Sequence, residues 1–439
     1  MNAKLSPLFG TTLDQNQITT VGYPFVSIPG FFKGHSVPLC VDKDILSKHI
    51  MLIGGTGCGK TNVFYHFVKQ IKKQLSSDDA MVIFDTKGDY FDHFPSSNNV
   101  VIGGGTSFSD ISTNWNIFKE IVSDGWDNEN IEMNTQELSW SIFRNSIEKS
   151  KDPFFPNAAR DLFASILQCM VEEAKDNTDY RREYLYNSEL KKAIDESSIF
   201  DIKNMLASHQ NCASVLSYIG DGTSDQALGV FAEMKGTVRK LFTSSFAKKG
   251  MFSIRDFIRK REGKTLFIEY DISLGETLTP IYSLLFDLAL KEALGREKRK
   301  KGDVYLICDE FRLLPFLQHI DDGVNFGRSL GVKVIAGLQS INQLTEAYGE
   351  FKGKNILAGF SSVYAFRAND MYTRDYIVGL HGKNLVVDQY ETLAKPYNEK
   401  PREAHVVEDW DMSSLDVGEA IISFPLGKPF KYKFDLFRG

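Results

Sequence analysis

Hydrophobic positions along the chain change their spacing twice. Near the start, short apolar runs are broken by glycine and polar clusters. HIMLIG (49–54), AMVIFD (80–85) and NVVIGG (99–104) read as buried strands. Between the first two, residues 60–75 open at Gly-Lys-Thr and close on lysines, the charge order a helix favours. This is a βαβ unit. From about 131 to 250 the strand texture is lost. In NAARDLFASILQCMVEEAK the pairs Leu162/Phe163, Ile166/Leu167 and Met170/Val171 recur every four residues, forming one helical face. Further helical stretches at about 188–208 and 224–245 make this zone an all-α module.

Strand texture then returns in TLFIEY (265–270), VYLICD (304–309), KVIAGLQ (333–339) and SVYAFR (362–367), alternating with helical segments. EAIISF (419–424) and PFKYKF (429–434) flank a Pro-Leu-Gly-Lys-Pro turn and suggest an antiparallel pair. The pattern predicts an α/β fold with a mainly parallel central sheet and helices on both faces. Its two parts, 1–130 and 251–439, are interrupted by an all-α insertion over 131–250.

A length of 439 residues exceeds one comfortable core, consistent with that division. Hydrophobic residues at 42% and charged residues at 25% exclude disorder and fibrous repeats. The five cysteines are scattered and never in CxxC spacing, which argues against a disulfide framework or a structural zinc site. No apolar run approaches a membrane span, and the N-terminus lacks the pattern of a signal peptide. The expected location is the cytoplasm. A net charge of −6 means that any contact with nucleic acid must come from cations concentrated locally.

The strongest chemical signal is GGTGCGKT, spanning Gly54, Gly55, Thr56, Gly57, Cys58, Gly59, Lys60 and Thr61. It follows a strand and opens a helix, the context of a phosphate-binding P-loop. Glycines let backbone N–H groups curl around phosphate, and the helix N-terminus favours the negative charge. Lys60 is expected at the β- and γ-phosphates of ATP, and Thr61 as a Mg²⁺ ligand. VYLICDE places Asp309 as the second metal ligand and Glu310 as the base for an attacking water. Gln339 ends the next strand, where an amide can sense or position that water; a plain strand-end turn is the alternative. Asp85 and Lys87 divide evenly between nucleotide-site support and loop structure. Amide donors around Cys58 are expected to lower its pKa. His49 and His66, beside the loop, read as structural.

About 250 residues separate the two acidic and glycine-rich motifs, far more than a plain P-loop domain needs. With GGTGCGKT, FDTKGDYFDHF, DPFFPNAARDLFASIL, VYLICDEFRLLP, GRSLGVKVIAGLQSINQLTEAYG and LDVGEAIISF in this order, the chain resembles the conjugative type IV coupling proteins of the TraD/TrwB kind. The likeness runs from roughly 45 to 435. It implies a RecA-like motor of the FtsK/HerA group, a homo-oligomeric hexameric ring that hydrolyses ATP and moves DNA. Relaxase or secretion-system components would be partners. By motif position Lys60, Thr61, Asp309, Glu310 and Gln339 carry over as the ATPase residues.

Members of that family usually begin with transmembrane helices, which this sequence does not show. That points to a membrane-anchored recruiting protein and a place at the inner face of the cell membrane. The alternatives are a motor in DNA packaging, repair or defence, or an ATP-regulated docking adaptor. Ring ATPases complete their sites with an arginine from the neighbouring copy. Arg367 is the first choice, ahead of Arg328 and Arg374. For DNA, DYRREYLYNSELKK (179–192) mixes Tyr180, Tyr184 and Tyr186 with Arg181, Arg182, Lys191 and Lys192. REKRKK (296–301), Lys235, Arg239 and Lys240 are further candidates. A solvated helix face accounts for these cations equally well.

Overall fold

The computed structural model describes residues 4–13, 23–105, 110–295, 301–392 and 395–439. The chain forms two compact units. The first contains Met1–Leu75, Tyr305–Leu313 and Ile320–Gly439. At its centre the strand Ile50–Ile53 pairs in parallel with Val332–Leu338 on one side and Ser362–Phe366 on the other. Every position of these three strands is buried. Burial on both faces is why they read as continuous apolar runs with no alternation. The strand ending at Cys308 lies beyond Val332–Leu338. Past Ser362–Phe366 the sheet turns antiparallel through Glu419–Ser423, Phe430–Phe434, Gly30–Phe32 and His35–Ser36. The expected C-terminal pair therefore forms, with Ile421 opposite Lys431.

A separate antiparallel sheet of Lys4–Phe9, Lys383–Thr392 and Lys395–His405 was not anticipated. Its long hairpin is rich in Lys, Glu, Asn and Pro, with no sustained apolar alternation to announce it.

The second unit contains Ser76–Val304 and Leu314–His319. Lys264–Glu269 lies between Ala80–Asp85 and Asn99–Gly103, all three parallel. Between residues 128 and 247 the regular elements are all helical. Phe154–Lys175 is the central one. It buries Leu162, Phe163, Ile166, Leu167, Met170 and Val171, as the spacing requires, and packs on Asn128–Lys149 and Asp225–Leu241. The stretch expected over 188–208 is two helices, Asn187–Glu196 and Ile199–Ala207. Ser198 breaks it by forming a capping box with Asp201, satisfying the free N–H groups of the new helix start. Arg255 is 1% exposed and joins Asp124, Glu137 and Glu292 into one ionic knot. Among the described residues no helix is long and apolar enough to cross a membrane.

Candidate nucleotide site

In the first unit the strand Ile50–Ile53 delivers the glycine-rich loop directly to the helix Lys60–Lys73. Gly57 and Gly59 hold φ of 75° and 108°, which other residues rarely adopt, so the loop can reverse and expose its N–H groups. The loop is held from three sides. Gly54 N–H donates to Leu338 O at 3.1 Å, Gly55 N–H to Arg367 O at 2.9 Å, and Gly418 N–H to Cys58 O at 2.9 Å. Gly418 was not singled out from sequence; its place in LDVGEA, between two strand signals, marks it only as a turn.

Lys60 lies within the loop's curl, its Nζ donating to Gly54 O at 2.6 Å and Gly55 O at 3.1 Å. Thr61 Oγ1 donates to Asp309 Oδ2 at 2.7 Å, although 248 positions separate them. Both are hard oxygen donors. Cis ligands on an octahedral Mg²⁺ with bonds of about 2.0–2.1 Å stand about 2.9 Å apart, so this pair fits the ion with little movement. Glu310 follows, half-buried, with Oε1 accepting from Arg312 Nε at 3.0 Å. Burial raises its carboxyl pKa, against the opposing pull of Arg312 and Lys60. Gln339 donates from Nε2 to Thr56 Oγ1 at 2.6 Å, resting the amide on the phosphate loop.

Not every expected residue behaves as its local sequence implies. The Cys58 thiol pKa is raised, because burial outweighs Lys60 and the backbone donors. The lowering expected from amide donors is therefore corrected. Asp85 lies in the second unit and is buried. Its carboxylate accepts N–H bonds from Lys87, Gly88, Tyr90 and Phe91 at 2.9–3.3 Å, so it orders the turn after its strand. His49 accepts from Val334 N–H at 3.0 Å, and burial lowers its pKa to about 3. His66 Nε2 meets Asp435 O at 3.1 Å and its ring abuts Phe437.

Of the three arginines, Arg328 pairs with Asp44 and Arg374 with Asp409. Arg367 is exposed, and among the described residues its side chain has no hydrogen bond or ion pair. Most cations of the helical zone have internal partners. Arg181 donates to Ala174 O and Lys175 O and lies 3.9 Å over the Trp126 ring. Lys191 and Arg239 both pair with Asp195, and Lys235 caps the carbonyls of Asp195 and Ser197. Arg182 and Lys192 are exposed. In REKRKK, residues 296–300 lie outside the described residues.

Residues 35–417 match the profile of the Type IV secretion-system coupling protein DNA-binding domain. The coupling protein TraD of Escherichia coli strain K12 is 22% identical over 378 residues. That alignment covers 82% of this chain and 47% of TraD, so the chain spans about half the length of that relative. Among solved structures, the plasmid coupling protein TrwB with a non-hydrolysable ATP analogue superposes at a TM-score of 0.75 with 19% identity. The match covers 99% of this chain and 95% of that one. TrwB with ADP and Mg²⁺ gives 0.70 at 19% identity over 91% and 88%. These likenesses show the fold: a RecA-like P-loop domain with an all-α part.

Proposed function

The chain belongs to the family of Type IV secretion-system coupling proteins, and from that premise we propose that it is a Mg²⁺-dependent ATPase that drives DNA toward a secretion channel. The observation that carries this reading is the bond between Thr61 and Asp309. It supports the reading by setting two hard oxygen donors, the pair proposed to hold Mg²⁺, side by side at the glycine-rich loop. The loop N–H groups and Lys60 receive the β- and γ-phosphates of ATP. Thr61 and Asp309 would hold Mg²⁺, which when bound would neutralise charge that develops on the phosphates. Glu310 takes the proton of the attacking water, and its raised pKa makes it a stronger base than an exposed carboxylate. Gln339, anchored on Thr56, holds that water in line. Arg367 reaches from a neighbouring copy in a hexameric ring to the transition-state charge.

Relaxase or channel proteins are the proposed partners, with a membrane-anchored protein holding the ring at the inner face of the membrane. The test is ATP-dependent displacement of a third strand from a DNA triplex. Displacement by the wild-type chain, lost in Glu310→Gln or with a non-hydrolysable ATP analogue, is the expected result. ATP binding with no displacement under any condition favours the docking adaptor and overturns the motor.

A further inference from the structure

Beyond Glu310 the chain leaves its unit and comes back. Tyr305–Leu313 belongs to the first unit, Leu314–His319 to the second, and Ile320 onward to the first again. Ordering so short an excursion costs chain entropy, so side chains must hold it in place. Apolar plugs do part of this. Leu314 and Leu317 are buried. Phe316 takes a left-handed φ of 62°, strained for a bulky residue, and Arg144 of the helix Asn128–Lys149 stands 5.5 Å over its ring.

Apolar burial is non-directional and sets no register. Polar contacts at the end of the segment do. Gln318 Nε2 donates to Ser141 Oγ at 3.2 Å. Asp287, 5% exposed on the helix Gly275–Leu294, then accepts twice from His319: from the backbone N–H to Oδ1 at 3.0 Å and from ring Nδ1 to Oδ2 at 2.9 Å. Both oxygens of one carboxylate face one residue, which fixes its backbone and the turn of its ring. This clasp lies wholly within the second unit.

Upstream, the same chain carries Glu310. Leu313 N–H donates to Glu310 O at 3.1 Å, and Arg312 Nε to Glu310 Oε1 at 3.0 Å. Phe311 is buried and stacked on Tyr348, with ring centres 5.9 Å apart and 8° between the planes. The strap Leu314–His319 begins directly after this turn. Pro315 has its φ fixed by its ring and biases Leu314 toward an extended backbone, so the strap has little slack.

We propose that Asp287 and His319 are positioning residues for ATP hydrolysis, a clasp that acts through the strap to fix where Glu310 stands. This role rests on the reading of Glu310 as the base. A base must stand within hydrogen-bond reach of its water, and a displacement of about 1 Å can cost about 10²-fold in rate. Nucleotide binding makes no such demand on Glu310, because in the same reading Lys60 and the loop N–H groups hold the phosphates.

Asp287→Ala removes both bonds. Turnover at saturating ATP and Mg²⁺ should fall about tenfold, while ATP affinity by titration stays within about twofold. Asp287→Asn keeps an acceptor for the backbone N–H and can donate to Nδ1 after a change of ring tautomer, so its turnover should stay within about threefold of wild type. A merely structural loss lowers turnover by the same factor with or without the Glu310 carboxylate. Positioning through Glu310 predicts that Asp287→Ala costs less than about twofold in single turnovers of Glu310→Gln. If Asp287→Ala does not fold, His319→Ala removes only the ring bond of a half-buried side chain, and an approximately threefold fall is expected in the same tests.

Hydrogen exchange separates the clasp from the ATPase reading. Its release should speed amide exchange at 310–313 at least about tenfold and leave Val304–Cys308 unchanged. If the wild-type chain hydrolyses no ATP, the reading of Glu310 fails, and exchange still decides whether the clasp holds that turn. Unchanged exchange at 310–313, equal falls of turnover with and without the Glu310 carboxylate, Asp287→Asn as slow as Asp287→Ala, or a loss of ATP affinity matching the loss of turnover would overturn the proposal.

Discussion

Replacing Thr61 by alanine separates metal binding from phosphate binding at the nucleotide site. Thr61 is the second residue of the helix Lys60–Lys73, where alanine is at least as good a helix former, so the helix should survive. The free protein loses one hydrogen bond, 2.7 Å long, to a half-buried aspartate that water can reach. That costs about 0.5–1.5 kcal/mol of stability. On the proposed reading, the same change removes a ligand of Mg²⁺ in the nucleotide complex. Interactions with a charged centre are worth about 1.5–3 kcal/mol, so affinity for ATP with Mg²⁺ should fall by roughly 10- to 150-fold. Affinity for ATP in chelator should not change, because Lys60 and the loop N–H groups are untouched. Isothermal titration with Mg²⁺ and with chelator measures both. An equal loss in the two conditions would show that Thr61 serves packing or phosphate contact, and no loss would remove it from the metal site.

Glu310→Gln should keep ATP affinity while turnover falls about 10²–10⁴-fold, the usual contribution of a general base, measured as phosphate release beside nucleotide binding. Arg255→Ala should remove a buried guanidinium from Asp124, Glu137 and Glu292, which keep Arg259 and Lys291 as partners, and destabilise the chain by about 1.5–3 kcal/mol, read from urea unfolding. Cys58 should react more slowly with iodoacetamide at pH 7 than a free thiol, because burial raises its pKa and hides its sulfur. Rapid alkylation, located by mass spectrometry, would contradict that.

The residues that lie close in sequence were legible. GGTGCGKT needs only the strand before it and the helix after it, and VYLICDE announces its strand by apolar continuity. The meeting of Thr61 with Asp309 was also foreseeable, because Thr61 opens the helix that follows one strand of the sheet and Asp309 directly follows the end of another. What failed depends on packing that no local window encodes. Cys58 has the donors that lower a thiol pKa, yet the loop closes over it and burial decides the sign. Arg181, Lys191, Lys235 and Arg239 look like a nucleic-acid surface until Asp195 and the helix-end carbonyls claim them. Glu269 passed as one more strand residue in TLFIEY, since nothing nearby in sequence reveals that its carboxyl is buried with no hydrogen-bond partner among the described residues. The hairpin Lys383–His405 was missed because its strands carry charge and proline where the alternation rule looks for apolar residues.

The central claim is that a nucleotide site built from Lys60, Thr61, Asp309 and Glu310 drives work on DNA. Steady-state ATP hydrolysis by the full chain, with and without single- and double-stranded DNA and beside Glu310→Gln, tests it most directly. The account predicts Mg²⁺-dependent hydrolysis that DNA stimulates and the variant lacks. Hydrolysis indifferent to DNA, or equal in the variant, would contradict it.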